Sequence, residues 1–548
     1  MFVVPAVPDS IKTLVRTRQE SKGLYNENVR NCGRVVGTLG NRAAVRSCHT
    51  SKRDGPGSPP SSGLVMTIKL GLERITSLLS CLADPHLRLP IIHVGGTNGK
   101  GSICAFLDHI LRQAGYRVGR FTSPYLLQPL DSITLNGAEV DPAEFSRVKT
   151  RVEQISERER IDASGFEILT AVAFELFAYR SSSEPPLDLA IFEVGLGGTG
   201  DATNVCKTNN TLVSVVSAIS LDHQAFLGNS IAEIARVKAG IAKRDVPMVL
   251  ADQSFEDREG VVQNTFQLQA HTTGCDLFLA DSFKPFPALD LVSGAQSNLR
   301  QIEIPKRPAK SFLYNPPQLP SWDWQANPAF IKLDSHPRPL GNFAYANIHT
   351  AVLVSSLLRS HPHPLSLLPS FRDRLTDSAI CAGLASTKWR GRLEWASLPP
   401  LNSLGPSLTL LLDGAHNPAG AAGLSEVISY HAGPITLIFG LSSPRSPEEM
   451  IHSLLSQLHP SRHQPRLFAT RFEPRTAESG MGWVQAIGPD TIVDNALGHS
   501  ALHQVSKFEH LEEALTSARA KAREGELIVI CGSLYLVADA IRLIDSYN

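Results

Sequence analysis

The chain lacks paired cysteines. Its eight (Cys32, Cys48, Cys81, Cys104, Cys206, Cys275, Cys381 and Cys531) stand singly, with no C-x-x-C among them. That excludes a disulfide scaffold and a zinc ribbon, and it fits an intracellular, reducing compartment such as the cytoplasm. The chain also lacks net charge, since 52 Lys+Arg balance 52 Asp+Glu. A protein built to neutralise nucleic-acid phosphates or to coat an anionic membrane carries an excess of cations, so neither partner is expected. No run of about eighteen apolar residues occurs, so no transmembrane helix is expected. No repeat of fixed period is present. What remains is a globular composition, 42% hydrophobic and 19% charged over 548 residues. That length is enough for roughly two to four domains.

Residues 1–65 differ from the rest, with ten Lys/Arg against four Asp/Glu and a closing run SKRDGPGSPPSSG. Basic, Ser-containing, acid-poor composition is that of a mitochondrial transit peptide, and a disordered extension or a mis-assigned start before Met66 is the plainer reading. The pattern MTIKLGLERITSLLSCL from Met66 predicts a helix. From Pro90 short apolar runs alternate with amphipathic segments. Strands are predicted at 91–94, 117–121, 187–194, 211–219 and 247–251, and helices at 102–114, 166–180 and 230–239. A second set begins near Leu408: LTLLLD, a helix after Asn417, ITLIFG, a helix from Pro447, RLFAT, a helix near Glu509, and LIVICGS. Such alternation implies βαβ units around mostly parallel sheets, an α/β fold. Ten prolines between Lys284 and Pro339 mark an insertion or long loop. The domains read as a leader over 1–65, a central domain over 66–389 carrying the insertion at about 284–339, and a C-terminal domain over 390–548.

HVGGTNGKGS (His93–Ser102) lies between a predicted strand and helix. A glycine-rich turn lets backbone N–H groups approach phosphate, the helix N-terminus adds a positive dipole, and Lys100 can reach the terminal phosphates. It departs from G-x-x-x-x-G-K-[ST] in that Gly101 follows the lysine and Ser102 comes only after it. Glu193 closes the strand LAIFEV, where a carboxylate points into the crevice at which α/β sheets bind ligands; it could hold Mg²⁺ or simply be a paired acid at a strand end. Asp222-His223 also follows a strand. Lys238 sits on IAEIARVKAGI among apolar neighbours, as a snorkelling lysine would. In LLLDGAHNPAG (Leu410–Gly420), Asp413 could accept ribose hydroxyls and His416 could lie against a purine, with helix capping the plainer role for this turn.

Seven motifs occur in order: HVGGTNGKGS, FTSPYLLQPLDSITLNG (121–137), FEVGLGGTGDATNV (192–205), SLDHQAFLGNSIAEIARVKAGI (220–241), WRGRLE (389–394), LLDGAHNP (411–418) and CGSLYLV (531–537). Together they resemble the folylpolyglutamate synthase/dihydrofolate synthase family of the Mur-ligase superfamily, from about Met66 to the C-terminus. The resemblance implies an N-terminal P-loop ATPase-like parallel sheet with flanking helices and a C-terminal Rossmann-like domain, with ATP in the cleft between them. It implies that Gly99, Lys100, Gly101 and Ser102 cradle the ATP phosphates, and that Asn347, Arg392, Asp413 and His416 complete the nucleotide site. Ser123, Glu193, His223 and Lys238 become metal ligands for two Mg²⁺ sites, Lys238 as a carbamate, and Lys100, Lys238 and His223 carry the chemistry. The family usually has Arg-Leu at Thr199-Gly200, Glu at Val237, Pro at Arg390 and His-Gln at Phe343-Ala344.

The implied reaction is ATP-dependent amide formation through an acyl phosphate, joining L-glutamate either to 7,8-dihydropteroate or to the tail of a reduced folate, in a monomer. The GTNGKGS loop and the opening MTIKLGLERITSLL resemble fungal dihydrofolate synthases, since the eukaryotic polyglutamate synthases typically have Lys where Asn98 stands. A cell-wall Mur ligase fits less well, because those enzymes typically have Thr where Gly101 stands. A non-catalytic ATP-binding relative is the alternative of another class, motivated by the four departures.

Overall fold

The computed structural model describes residues 70–179, 185–253, 257, 259–280, 301–303, 330–332, 340–398, 408–474 and 484–547. Two sheets organise them. The first contains β1 (Ile91–Gly95), β2 (Val118–Phe121), β3 (Ile133–Leu135), β4 (Ala138–Glu139), β5 (Leu189–Glu193), β6 (Thr211–Val216), β7 (Met248–Ala251) and β8 (Leu277–Ala280), in the order β4-β3-β2-β5-β1-β6-β7-β8. Its strands are parallel except at one edge, where β2 pairs antiparallel with β3 and β3 with β4. The central strands are apolar runs rather than alternating ones because helices cover both faces. All five residues of β1 and of β5 are buried. One face carries the helices 100–113, 342–360 and 377–386, packed on Ile92, Val94 and Ile191. The other carries 73–81, 142–158 and 165–178 over Phe121 and Phe192, with 231–239 and 261–273 covering the β6–β8 end. Burying each such Ile, Leu or Phe contributes about 1.5–3 kcal/mol.

A lone antiparallel pair, β9 (Gln301–Glu303) and β10 (Phe330–Lys332), is the described part of the proline-rich stretch. The second sheet contains β11 (Glu394–Leu398), β12 (Leu408–Leu412), β13 (Ile435–Phe439), β14 (Arg466–Ala469), β15 (Gln504–Lys507) and β16 (Leu527–Cys531), in the order β11-β12-β16-β13-β14-β15. Only β11 runs antiparallel. The helices 418–429, 447–455 and 489–496 pack on one face and 511–520 and 534–547 on the other. An α/β fold with two mostly parallel sheets is therefore as the sequence predicts.

Two details differ. Among the described residues the predicted helix is interrupted at Gly71, which turns the chain with φ +145°, and runs from Glu73; the leader and residues 66–69 lie outside the described residues. The helix 342–360 and the antiparallel edge β3–β4 have no counterpart among the predicted elements. Among the described residues no helix is long and apolar enough to cross a membrane.

Candidate active site

β1 ends at Gly95, and Gly96–Gly99 turn the chain into the helix Lys100–Gln113. Glycine is required at two points of this turn. Gly96 has φ +125° and Gly99 φ +92°, and a Cβ at either would collide, with Ser217 Oγ and Asn347 Oδ1 respectively. Gly101 has a different reason: a side chain there would meet Trp389 Cζ2 at 3.1 Å and Glu193 Oε2 at 3.4 Å. That explains why the hydroxyl residue follows one position later than in the usual lysine loop. The backbone N–H groups of Thr97 and Asn98 are both tied to Ala218 O, at 2.9 and 3.1 Å, which fixes the loop to the chain leaving β6.

Lys100 Nζ donates to Thr97 O at 3.1 Å and lies 3.9 Å from Glu193 Oε1. Glu193, at the carboxyl end of β5, accepts the Ser123 backbone N–H on Oε2 at 3.2 Å. Burial pushes its carboxyl above the ordinary range, against the opposing pull of Lys100, the Ser123 N–H and Arg392. Lys238 is buried, 4% exposed, and its Nζ donates to Gly96 O at 2.7 Å. Burial, together with the like charge of Lys100, lowers its pKa to about 7. It therefore does not snorkel to solvent; it ends beneath the glycine loop. His223 has φ +52°, and its ring is the most open of the group, 42% exposed. The part of the ring within the cleft is desolvated, and with Lys100, Arg445 and Lys238 nearby its pKa falls, in spite of Asp222.

From the second sheet, Asp413 follows β12 and accepts the N–H groups of Leu393 (2.8 Å) and Ala415 (2.9 Å). Burial raises its pKa, and Arg392 opposes this most strongly. Arg392 thus acts on both Glu193 and Asp413, one from each sheet. Both ring nitrogens of His416 face protein atoms: Nδ1 lies 2.8 Å from Gly414 O and Nε2 3.6 Å from Asp222 Oδ2. Asn347 is buried against Gly99 from the helix 342–360. The sequence-derived residues thus gather at the carboxyl ends of β1, β2, β5, β6 and β12, with Lys238 and Asn347 reaching in from the helices 231–239 and 342–360.

Several participants were given no site role from the sequence. Asn417 caps the helix 418–429 through Gly420 N (2.9 Å) and also exchanges hydrogen bonds with Asn98. Asp222 draws in His416 and Arg445, the latter at 3.8 Å. Burial alone would raise Asp222, yet His416, His223 and Arg445 hold it well below the usual carboxylate range. Arg120 bonds Asp108 at 3.1 Å and stacks 4.6 Å from the Trp389 ring, bracing the residue that covers Gly101. The cap was legible in the pattern Asn-Pro; the long-range partners left no local signal. The four departures each have a local place. Thr199 Oγ1 donates to Val237 O at 3.0 Å, Gly200 O accepts from Gly71 N at 3.0 Å, and Phe343 packs on the second sheet's core. Arg390 Nη2 reaches Asp545 at 3.2 Å.

Among the described residues no three His, Cys, Asp or Glu side chains form a self-sufficient metal cage. The donors present are one nearly buried carboxylate, an imidazole and serine hydroxyl oxygen beside a phosphate-type loop. That set fits Mg²⁺, which takes one or two carboxylates and fills its remaining positions with water and phosphate oxygens.

A phosphate loop, its lysine and a strand-end carboxylate, faced by a second α/β lobe, define a two-lobed nucleotide-dependent enzyme. Comparison with known proteins narrows the class. The family described as "Dihydrofolate synthetase, C-terminal domain" matches residues 401–543. The chain is 29% identical to the dihydrofolate synthetase of Saccharomyces cerevisiae, over 88% of this chain and 99% of that one. It is 30% identical to the probable dihydrofolate synthetase of Schizosaccharomyces pombe, over 87% and 99%. The crystal structure of a Yersinia pestis bifunctional folylpolyglutamate synthase/dihydrofolate synthase complexed with AMPPNP and Mn ion superposes with a TM-score of 0.60 at 25% identity, covering 88% of this chain and 95% of that one. The chain belongs to the dihydrofolate synthase/folylpolyglutamate synthase family.

Proposed function

We propose that the chain is an ATP-dependent ligase that joins L-glutamate to 7,8-dihydropteroate, giving 7,8-dihydrofolate, ADP and phosphate. The observation that carries this reading is the meeting of Lys100 and Glu193 at one sheet's strand ends, with Lys238 beneath the same loop and Arg392 of the linker acting on both Glu193 and the second lobe's Asp413. Similarity to two fungal dihydrofolate synthetases along nearly their whole length supports dihydropteroate over a folate tail as the acceptor. Similarity to a neighbour that holds AMPPNP and manganese supports ATP and a divalent ion.

In the proposed sequence the dihydropteroate carboxylate attacks the γ-phosphorus, the bond to ADP breaks, and an acyl phosphate forms. The glutamate amine then attacks the acyl carbon, phosphate leaves, and the amine gives up its proton. The protein contributes positioning and electrostatics. Lys100 and the N–H groups of the Gly99–Ser102 turn hold the phosphate oxygens. Asp413 takes the ribose hydroxyls, Asn347 and His416 border the nucleotide, and Arg392 faces the phosphates from the linker. Ser123, Glu193 and His223 would hold magnesium, with Lys238 as a carbamate at a second site; bound there, the metal neutralises charge on the phosphates. Burial holds Lys238 below the ordinary lysine range and so favours the neutral amine, the form that adds carbon dioxide. The protein acts as a monomer on small molecules alone, with the central domain over 66–389 and the glutamate-ligase domain over 390–548.

The test is product identity. Purified protein with ATP, Mg²⁺, dihydropteroate and glutamate should yield dihydrofolate, detected by mass and by its reduction with a dihydrofolate reductase. ATP binding with no new amide product would support the non-catalytic alternative instead.

A further inference from the structure

We infer that Asn98, Asn417 and Asp222 form a clamp between the lobes. They are positioning residues that hold the phosphate loop in register with the second lobe and keep water from the acyl phosphate. The inference rests on the ligase reading above and deepens it.

The clamp is built from two contacts. Asn98 Nδ2 donates to Asn417 Oδ1 at 3.2 Å, and Asn417 Nδ2 donates back to Asn98 Oδ1 at 2.9 Å. Both amides are held at their bases. Asn98 sits in the phosphate loop, its backbone N–H on Ala218 O at 3.1 Å and its Nδ2 also on Ser220 Oγ at 2.9 Å. Asn417 is buried and pinned as the cap of the helix 418–429. A reciprocal amide pair between two fixed backbones requires both distances at once, so a shift of about an ångström between the lobes breaks it. The second contact is Asp222, which faces Asn417 Nδ2 at 3.4 Å, His416 Nε2 at 3.6 Å and Arg445 Nη2 at 3.8 Å.

The second-lobe partners come from two separate loops, the one after β12 (His416, Asn417) and the one after β13 (Arg445, itself bonded to Ser442 Oγ at 2.6 Å). A rotation that relieves one loop strains the other, so the clamp fixes an angle as well as a distance. It also suits an interface that must open. Each neutral hydrogen bond can be exchanged for water at a net cost of about 1 kcal/mol, whereas an apolar seam would resist parting for substrate entry. When the clamp is formed, Asn98 is locked one residue before Gly99 and two before Lys100, so loop geometry and lobe closure are one event.

The consequence is a leak when the clamp is cut. Water then attacks the acyl carbon, the bond to phosphate breaks, and the carboxylate is regenerated with ATP spent. Asn417→Ser keeps a capping oxygen but cannot span to Asn98. Asn98→Ala removes the other side. In the full chain, ADP released per amide formed should lie close to one for the wild type, and its excess over one, the leak, should grow roughly tenfold in either variant, the effect of one or two lost hydrogen bonds. The double variant should leak no more than the worse single, because both remove the same contact. A purely structural role would lower stability without moving this ratio. A ratio that stays at one in both variants, or that multiplies in the double, overturns the clamp alone. A wild type that releases no substrate-dependent ADP overturns the ligase reading and the clamp with it.

Discussion

Replacing Lys100 with methionine keeps the apolar stem and deletes the ammonium, and the structure shows what that removes. The ammonium lies 3.9 Å from Glu193 Oε1 and bonds Thr97 O at 3.1 Å, with the side chain only 17% exposed. Without it Glu193 keeps the Ser123 N–H and the more distant Arg392 and Arg120 against its burial, so its carboxyl titrates higher still. Lys238 loses a neighbouring like charge, and its ammonium form is favoured over the neutral amine. Loss of phosphate contact, a weaker carboxylate and a less reactive Lys238 all act in the same direction. Deleting one preorganised charge-stabilising donor costs about 10²–10³ in kcat, or about 2.7–4 kcal/mol. Fold stability should also fall, since the nearly buried Glu193 carboxylate loses its nearest cation. Initial rates of ADP formation with dihydropteroate and glutamate, beside a thermal melt of the same preparation, separate the two effects. A Lys100→Met enzyme within about threefold of wild-type kcat/KM would refute the assigned phosphate site.

Two further outcomes are expected. Gly99→Ala forces a Cβ onto Asn347 in a backbone conformation that costs an L-residue about 1–2 kcal/mol, so ATP should no longer raise the melting temperature although the unliganded melt falls only modestly; undiminished stabilisation by ATP would contradict the loop geometry. His93 is wholly buried in β1, its Nε2 2.8 Å from Thr203 Oγ1, whose own proton goes to Asp201. Nδ1 has no partner, and burial, reinforced by Lys243, drives the pKa well below 6.5. The unfolded chain therefore takes up a proton near pH 6.5 that the folded chain refuses. Stability is complete above that pH and declines below it, by up to about 1.4 kcal/mol per pH unit for this group. Melts at pH 7.5 and 5.5 should show a smaller drop in His93→Asn than in the wild type, and equal drops would remove His93 as the cause.

The strands and the turns that follow them were legible in the sequence because a parallel sheet covered on both faces writes itself as short, unbroken apolar runs. IIHV, LAIFE, LTLLL and LIVIC all became strands close to their predicted bounds. The helix 342–360 was not legible, because fifteen of its nineteen residues are buried and no polar face gives it a period. β4 and β15 are short edge strands with little apolar content, and β3 between β4 and β2 is only three residues long, too short to show a period. In the site, Lys100, Glu193 and Lys238 could be named because each sits at a fixed offset from an apolar run. Asp222 and Asn417 could not be assigned their partners, which lie 195 residues apart for one contact and 319 for the other. Trp389 shows the same limit: it explains the glycine at position 101, but only once the linker is seen lying on the loop.

The most direct test of the account is glutamate-dependent ADP release by the purified full chain with Mg²⁺, comparing 7,8-dihydropteroate with tetrahydrofolate monoglutamate. Release with dihydropteroate and not with the folate is the expected result. Release only with the folate would make the enzyme a chain extender and contradict the proposed acceptor. No release with either, in protein that still binds ATP, would contradict catalysis itself.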